Sequence, residues 1–220
     1  MSRFVGTRWP AALLLAVVVP SLVEAKPIAF ANGTTVMTEY GAGTMEEVQA
    51  FYAPYYWLSA GAGYLQLDSD ERNRARDIRY LRVNYLVKRW NLDDAQANVF
   101  AWGGLGTATG NDFRGSRLDR NAGFQADYET RRVYVSFMSD LHESDRYSHR
   151  VDTLQLGVAP YAYDYEDLAT WFVVQGRHYT GDLHRGMEWA ALLRLFKGGA
   201  WVEAGVTTKG KPQAMMMINF

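Results

Sequence analysis

The sequence contains no cysteine, no long apolar segment and no excess of one charge sign. The absence of cysteine excludes disulfides, thiolate metal sites and lipoprotein acylation. The net charge is −1, with 23 basic and 24 acidic residues. Nucleic-acid binding needs a concentrated basic face, so we expect no nucleic-acid partner. The most apolar stretch, 11–20, has about half of the roughly twenty residues that a membrane-spanning helix needs.

That short apolar stretch fits an export signal instead. Two arginines precede it within the first eight residues, and Val23-Glu24-Ala25 offers a small-residue cleavage pattern. The pattern predicts a secretory signal peptide over 1–25, with cleavage before Lys26. We expect 26–220 to form a single domain.

The last nine residues, 212–220, alternate between two kinds of side chain, which is the period of a β-strand. One face carries Ala214, Met216, Ile218 and Phe220, and the other carries Gln213, Met215, Met217 and Asn219. This stretch resembles the terminal strand of Gram-negative outer-membrane β-barrel proteins. The resemblance implies an assembly signal of Met216, Ile218 and Phe220, read by the outer-membrane assembly machinery. It also implies a location in the outer membrane, in contact with its lipid and with lipopolysaccharide.

The rest of the chain divides into strand-sized segments separated by glycine and polar clusters. Because every backbone group inside a bilayer must be paired, strands can cross only as a closed barrel. We therefore predict an all-β fold, an antiparallel up-and-down transmembrane β-barrel of about twelve strands, with ten or eight as alternatives. The segments are 33–40, 46–54, 57–67, 77–89, 96–108, 121–130, 132–141, 149–161, 167–179, 184–196, 199–207 and 212–220.

The connections and aromatic residues fit this arrangement. An even number of strands places both ends in the periplasm, and the two longest polar connections, 68–76 and 110–120, then lie outside. Tyrosine and tryptophan concentrate where a membrane meets water, and here they fall near the predicted strand ends. The outer girdle is predicted to contain Tyr40, Tyr64, Tyr80, Tyr147 and Tyr179.

Strand alternation also predicts which polar side chains face the barrel interior. Their charges nearly balance, which fits either a narrow pore of weak selectivity or a barrel plugged by ion pairs. Twelve strands lie between the filled eight-strand barrel and the open sixteen-strand pore, so width leaves both possibilities open. The predicted lumen residues are Glu39, Arg82, Lys88, Gln125, Asp127, Glu129, Arg132, Asp140, Arg177, Glu188, Arg194 and Glu203.

Three further hypotheses concern the outer rim. Parity turns His142, His149 and His184 inward, where they are candidate copper, silver or zinc ligands together with Met37, Met138, Met215 and Met217. Ser144, Ser148 and His149 hold the ingredients of a hydrolase, as in lipid-modifying enzymes of this membrane. Arginines in the outer loops suit the phosphates of lipopolysaccharide. They are Arg72, Arg74, Arg76, Arg114, Arg117, Arg120, Arg146 and Arg150.

The sequence thus predicts a narrow pore or transporter for small solutes of unknown identity, without enzymatic activity or a cofactor. Two alternatives remain open. The first is a structural, metal-binding or ligand-binding barrel with a plugged lumen. The second is a lipid-modifying hydrolase.

Overall fold

A computed structural model describes residues 28, 30–69, 73–164 and 167–220. The predicted signal peptide, 1–25, lies outside these described residues. Within them, no helix is long and apolar enough to cross a membrane.

The described residues form twelve β-strands joined by short turns and loops. The predicted segments match these strands closely, and most differences are extensions of one to four residues at the strand ends. The strands are β1 Gly33–Gly41, β2 Met45–Tyr55, β3 Leu58–Ser69, β4 Arg74–Asn91, β5 Ala95–Gly110, β6 Arg117–Thr130, β7 Val133–Glu143, β8 Ser148–Val158, β9 Ala169–Gly181, β10 Gly186–Lys197, β11 Ala200–Thr207 and β12 Pro212–Asn219.

Each strand pairs antiparallel with its neighbours in sequence, and β12 pairs with β1 to close the sheet. The closing register places Met37 opposite Met217 and Glu39 opposite Met215. The prediction of a closed, antiparallel, twelve-stranded barrel is therefore confirmed. We call the end that holds the start of β1 and the finish of β12 the terminal end, and the opposite end the far end.

The outer surface of the barrel is apolar. Leu81 is 69% exposed, Leu105 61% and Phe172 57%, and each alternates with an inward neighbour along its strand. A soluble protein rarely exposes so large a continuous apolar surface. The same face carries Val83, Val87, Phe124, Val135, Phe137, Leu154, Leu156, Val174, Trp189, Leu193, Val202, Met216 and Ile218.

Apolar clusters occupy both ends of the interior. The far-end cluster joins strand residues to Tyr147 of the β7–β8 loop and Leu183 of the β9–β10 loop, with Phe113 of the β5–β6 loop packed against it. Two clusters at the terminal end centre on Phe100 and Trp171. Tyr80, Tyr147 and Tyr179 are all buried, so their predicted place in an outer girdle is wrong.

Candidate functional site

A central cavity of about 150 Å³ lies in the barrel interior, lined by residues of several strands. The apolar end clusters flank it, so the polar groups of the interior concentrate at mid-height. Its walls combine carboxylates, guanidinium groups, aromatic rings and thioethers. The lining includes Met37, Glu39, Glu47, Gln49, Arg82, Asn84, Trp102, Gln125, Tyr134, Ser136, Met138, Asp140, Thr153, Gln155, Gln175, Arg177, Trp201, Glu203, Met215 and Met217.

On one side of the cavity, a hydrogen-bonded chain of side chains runs across β8 to β12. Arg194 Nε donates to Glu203 Oε2 at 2.7 Å, and Arg194 Nη2 donates to Gln155 Oε1 at 2.7 Å. Gln155 donates to Gln175, which donates in turn to Gln213, at 2.7 and 2.9 Å. Arg194 also lies between two aromatic rings, at 4.5 Å from Tyr134 and 4.1 Å from Trp201. These contacts hold one wall of the cavity rigidly in place.

A second ion pair joins Arg177 of β9 to Glu39 of β1 across the interior. The guanidinium group is buried, and an unpaired charge there would be costly, so the carboxylate stabilises it. Glu188 of β10 accepts a hydrogen bond from Gln213 of β12 at 3.1 Å. Charges on this side of the barrel therefore have partners on other strands, reached across the interior.

Arg82 organises the opposite wall. Its guanidinium group lies over the rings of Phe51, Tyr80 and Trp102, at 4.9, 5.5 and 5.3 Å from their centroids. It also donates to Gln49 and lies 3.9 Å from Asp140. An arginine held between rings in this way is both positioned and partly desolvated.

Above this wall, toward the far end, lies a buried polar group centred on Asp119 and His142. His142 Nδ1 is 2.8 Å from Asp119 Oδ2, and the Tyr147 hydroxyl donates to Asp119 Oδ1 at 2.7 Å. Asn121 Nδ2 donates to Asp140 Oδ1 at 2.8 Å and is 3.1 Å from His142 Nε2. Burial, together with the neighbouring Asp119 carboxylate, raises the pKa of the Tyr147 hydroxyl, so Tyr147 remains a donor.

Arg76 joins two loops across the far end of the barrel. Its side chain is fully buried and pairs with Asp112 of the β5–β6 loop and Asp182 of the β9–β10 loop. It also lies 4.6 Å above the ring of Tyr147, from a third loop. We call Arg76, Asp112 and Asp182 the loop clasp. Hydrogen bonds from Arg76 hold the pKa of the Asp182 carboxyl below its ordinary value of 3.8.

A second cavity, the vestibule, lies beside the clasp at the far end and has a volume of about 140 Å³. Three of its lining residues are always cationic at neutral pH, and one is acidic. They are Arg185, Lys209 and Lys211, with Glu188. His184 of the same wall is bonded through Nε2 to the carbonyl of Asp68.

A polar strip leads from the central cavity toward the terminal end, along β5 and β6. Asn98 donates to Asp127 at 2.7 Å, and Gln125 donates to Asp127 at 3.1 Å. Glu129 continues the inward face of β6 beyond these residues. The strip lies between the two apolar clusters of the terminal end. It is the polar route that the described residues provide between the cavity and that end.

Several polar atoms in the cavity wall have no hydrogen-bond partner among the described residues. They are Arg82 Nε, Asn84 Oδ1, Thr153 Oγ1, Arg177 Nε, Arg177 Nη1 and Trp201 Nε1. Buried polar atoms are nearly always paired, so each unpaired one calls for a partner from outside the wall.

Ten of the predicted lumen residues lie on the inward faces of their strands, and nine of these are among the cavity walls and bonded networks described above. The prediction that Lys88 faces the lumen is wrong, and the error has a structural cause. A β-bulge between Leu86 and Lys88 shifts the register by one residue and turns Lys88 outward. Arg89 takes the inward place and donates to Asn98 at 2.7 Å.

Arg132 also differs from its predicted position. It lies exposed in the turn before β7 and donates to the carbonyls of Ala159 and Pro160 in the β8–β9 loop. It therefore joins two connections at the terminal end instead of lining the lumen.

The predicted mixed site of histidine and methionine is wrong. All four methionines line the central cavity, whereas none of the three histidines does. His184 lines the vestibule, and His142 is bonded to Asp119. Over the described residues there is no group of three or more histidine, aspartate or glutamate side chains that could hold a metal ion.

The structure also does not bring together the residues of the hydrolase hypothesis, Ser144, Ser148 and His149. Ser148 and His149 are consecutive residues of β8, so their side chains point to opposite faces. His149 is buried and Ser148 is exposed. The Ser144 hydroxyl lies 3.2 Å from Asp145. No serine of this group therefore reaches the imidazole that would activate it.

Four residues of the site are not among the predicted lumen residues: Glu47, Gln49, Trp102 and Asp119. Glu47 and Gln49 alternate with Val48 and Ala50 in β2, so strand parity is a signal that places them inside. The sequence predicts Asp119 in a loop, whereas β6 starts at Arg117 and extends further toward the far end than predicted. Trp102 faces inward because Gly123 on the next strand leaves room for its ring: an added Cβ there would lie 2.5 Å from the indole.

Comparisons with known proteins find likenesses among solved structures. No protein-family model matches it, and no curated protein does. A solved structure described as "KdgM porin" aligns with a TM-score of 0.49 and 8% identity, over 86% of this chain and 98% of that one. Another, described as "Unveiling the Mechanism Behind the in-meso Crystallization of Membrane Proteins", aligns with a TM-score of 0.39 and 10% identity, over 86% of this chain and 83% of that one. Neither likeness is close enough to carry a functional conclusion.

Proposed function

We propose that this protein is an outer-membrane β-barrel that admits small polar solutes through a narrow, loop-gated interior. The apolar outer face supports the membrane location, because a closed barrel is the β-structure that pairs all of its backbone inside lipid. The alternating terminal strand and the apolar stretch near the N-terminus agree with export and insertion. Both chain ends would then lie in the periplasm, and the far end would face outward.

The observation that carries the proposal is the central cavity. Its lining mixes charged and amide groups with aromatic rings and thioethers, it holds about 150 Å³, and apolar clusters flank it toward both ends. A wide diffusion pore has a continuous aqueous channel, whereas packed apolar side chains lie above and below this cavity. Solute would enter through the vestibule when the loop clasp opens, and would leave along the polar strip of β5 and β6.

Single-channel recording in planar bilayers tests this function. We expect the wild-type barrel to conduct in rare, small steps, because the clasp holds three loops over the far end. Arg76→Ala should conduct in frequent steps, since it frees both aspartates. Large, steady openings of the wild type would refute gating, and silence of both proteins would favour the plugged, structural barrel.

A matched control is available in Arg74→Ala. Arg74 approaches Asp112 and Asp182 at 3.9 and 3.7 Å and is 42% exposed, so its ion pairs are weak. The conductance of the Arg74→Ala barrel should therefore resemble that of the wild type. Heat-modifiable migration and recovery in the outer-membrane fraction check that each variant is inserted.

Contact with lipopolysaccharide phosphate is a second part of the proposal. Arg114, Arg120 and Arg146 are exposed at the far end, whereas Arg76 is occupied by the loop clasp. Replacing these three by alanine should lower the amount of lipopolysaccharide that copurifies with the barrel. Arg131→Ala, at the terminal end, should leave it unchanged.

A further inference from the structure

We infer that the central cavity binds a small, uncharged, polyhydroxylated solute. This inference rests on the proposed function, whose solute it names by class. It begins from the six unpaired polar atoms of the cavity wall. Arg82, Asn84 and Thr153 are each more than nine-tenths buried, so water in bulk does not satisfy them.

The unpaired atoms of the wall need both hydrogen-bond donors and hydrogen-bond acceptors from a solute. Four of these atoms can only donate: Arg82 Nε, Arg177 Nε, Arg177 Nη1 and Trp201 Nε1. Asn84 Oδ1 can only accept, and the Thr153 hydroxyl can do both. A hydroxyl group on a solute also donates and accepts. A molecule with several hydroxyls therefore satisfies the whole set, whereas a carboxylate or phosphate leaves Asn84 Oδ1 unpaired.

The charge of the wall argues against an ionic solute. Four carboxylates line the cavity, belonging to Glu39, Glu47, Asp140 and Glu203, and they outnumber three guanidinium groups, those of Arg82 and Arg177 in the lining and that of Arg194 bonded to Glu203. This excess disfavours an anion. A cation finds each carboxylate already engaged: Glu39 by Arg177, Glu47 by Tyr80, Asp140 by Trp102 and Asn121, and Glu203 by Arg194.

The size and the apolar parts of the wall fit the same class. A cavity volume of about 150 Å³ gives room for several water molecules, which suits a small polyol. The rings of Trp102 and Tyr134 and the thioethers of Met37, Met138 and Met217 provide apolar surface for the carbon skeleton.

Equilibrium binding to the refolded, detergent-solubilised full barrel tests the inference. The probes are xylitol and glucose as neutral polyols, succinate as an anion and putrescine as a cation. Refolding in the presence of each probe ensures that the narrow interior does not prevent access. We expect the neutral probes to bind and the charged probes to fail.

Two substitutions each remove one hydrogen-bonding group from the cavity wall. Trp201→Phe loses the indole N–H, and Thr153→Val loses the hydroxyl. Each should weaken polyol binding about tenfold, the effect of one hydrogen bond. The matched control is Trp189→Phe on the outer face, which should bind as the wild type does.

The outcomes separate this inference from the gating proposal. Failure of both neutral probes to bind a correctly folded barrel, binding of charged probes instead, or equal binding by all variants would overturn the inference. A wild-type barrel that binds polyol but stays steadily open in bilayers would refute gating alone. A gated barrel that binds no polyol would refute this inference alone.

Discussion

Arg76 shows how a single buried charge can hold separate loops together. Its partners, Asp112 and Asp182, are far apart in sequence, and the ring of Tyr147 belongs to yet another loop. A fully buried guanidinium group is stable only with such partners. The sequence showed Arg76 as one of several outer-loop arginines, because nothing local distinguishes a clasp from a solvated cation.

Arg76→Ala should lower the free energy of unfolding by about 3 kcal/mol, the low end for a broken buried ion pair, because both carboxylates keep access to water. Arg74→Ala should cost less than about 1 kcal/mol, as exposed pairs do. Denaturant titration of the refolded barrels in detergent measures both. Equal effects of the two substitutions would contradict the clasp.

The clasp should also respond to acid. Arg76 lowers the pKa of the Asp182 carboxyl below its ordinary value of 3.8. At pH values above 3.8 the ionised carboxylate therefore stabilises the folded loop. That stability is lost as the pH falls through the folded-state pKa, below about pH 4. Arg74 and Arg76 are the cations that face Asp182, with Asp112 beside them.

We therefore expect protease cleavage of the β9–β10 loop to rise below about pH 4 in the wild type, measured with an acid-active protease. In Asp182→Asn the loop should be cleaved similarly at neutral and acid pH, because the titrating group is absent. A wild-type loop that stays protected at about pH 3 would show that Asp182 does not hold it.

At the scale of the strand, alternation predicted most of the site and irregularity accounts for the errors. Residues such as Glu39, Arg177 and Glu203 lie inward because period two continues without interruption along their strands. Lys88 does not, since one extra residue in a bulge reverses every later side chain. The residue types at 86–88 do not predict that bulge. The sequence also does not predict which loops fold inward, as the β9–β10 loop does when it places Leu183 in the far-end cluster.

Glycine on one strand makes room for a large ring on the next. A Cβ at Gly63 of β3 would lie 2.2 Å from Tyr80 Cζ, and Tyr80 is bonded to Glu47. Gly63→Ala should displace the ring and cost about 1–3 kcal/mol, as overpacking does. Gly103→Ala is the matched control, because its nearest neighbour is 4.0 Å away. Denaturant midpoints of the two variants test this difference. Equal midpoints would contradict the close packing of Gly63 against the Tyr80 ring.

At the scale of the whole barrel, one seam closes the sheet. Phe220 and Thr34 exchange two backbone hydrogen bonds, at 2.6 and 2.9 Å, which extend the β1–β12 ladder to the end of the chain. The side chains of Met216, Ile218 and Phe220 are exposed on the outer face. The final residue thus contributes both backbone pairing and an accessible ring.

These two contributions can be separated. Deleting Phe220 should lower the yield of heat-modifiable barrel several-fold in cells and also slow refolding of the purified chain. Phe220→Ala keeps the backbone pairs, so it should impair assembly in cells while refolding in vitro stays near wild type. If both variants assemble normally in cells, Phe220 is not part of an assembly signal.

The loop clasp over the far end has a kinetic consequence. In the proposed function a solute enters only when the clasp opens, so the opening rate sets an upper limit on the rate of entry. Solutes of different affinity should then approach binding equilibrium at a rate that levels off at one common value as their concentration rises. The barrel would discriminate among solutes by how long each occupies the cavity, and not by how quickly each arrives.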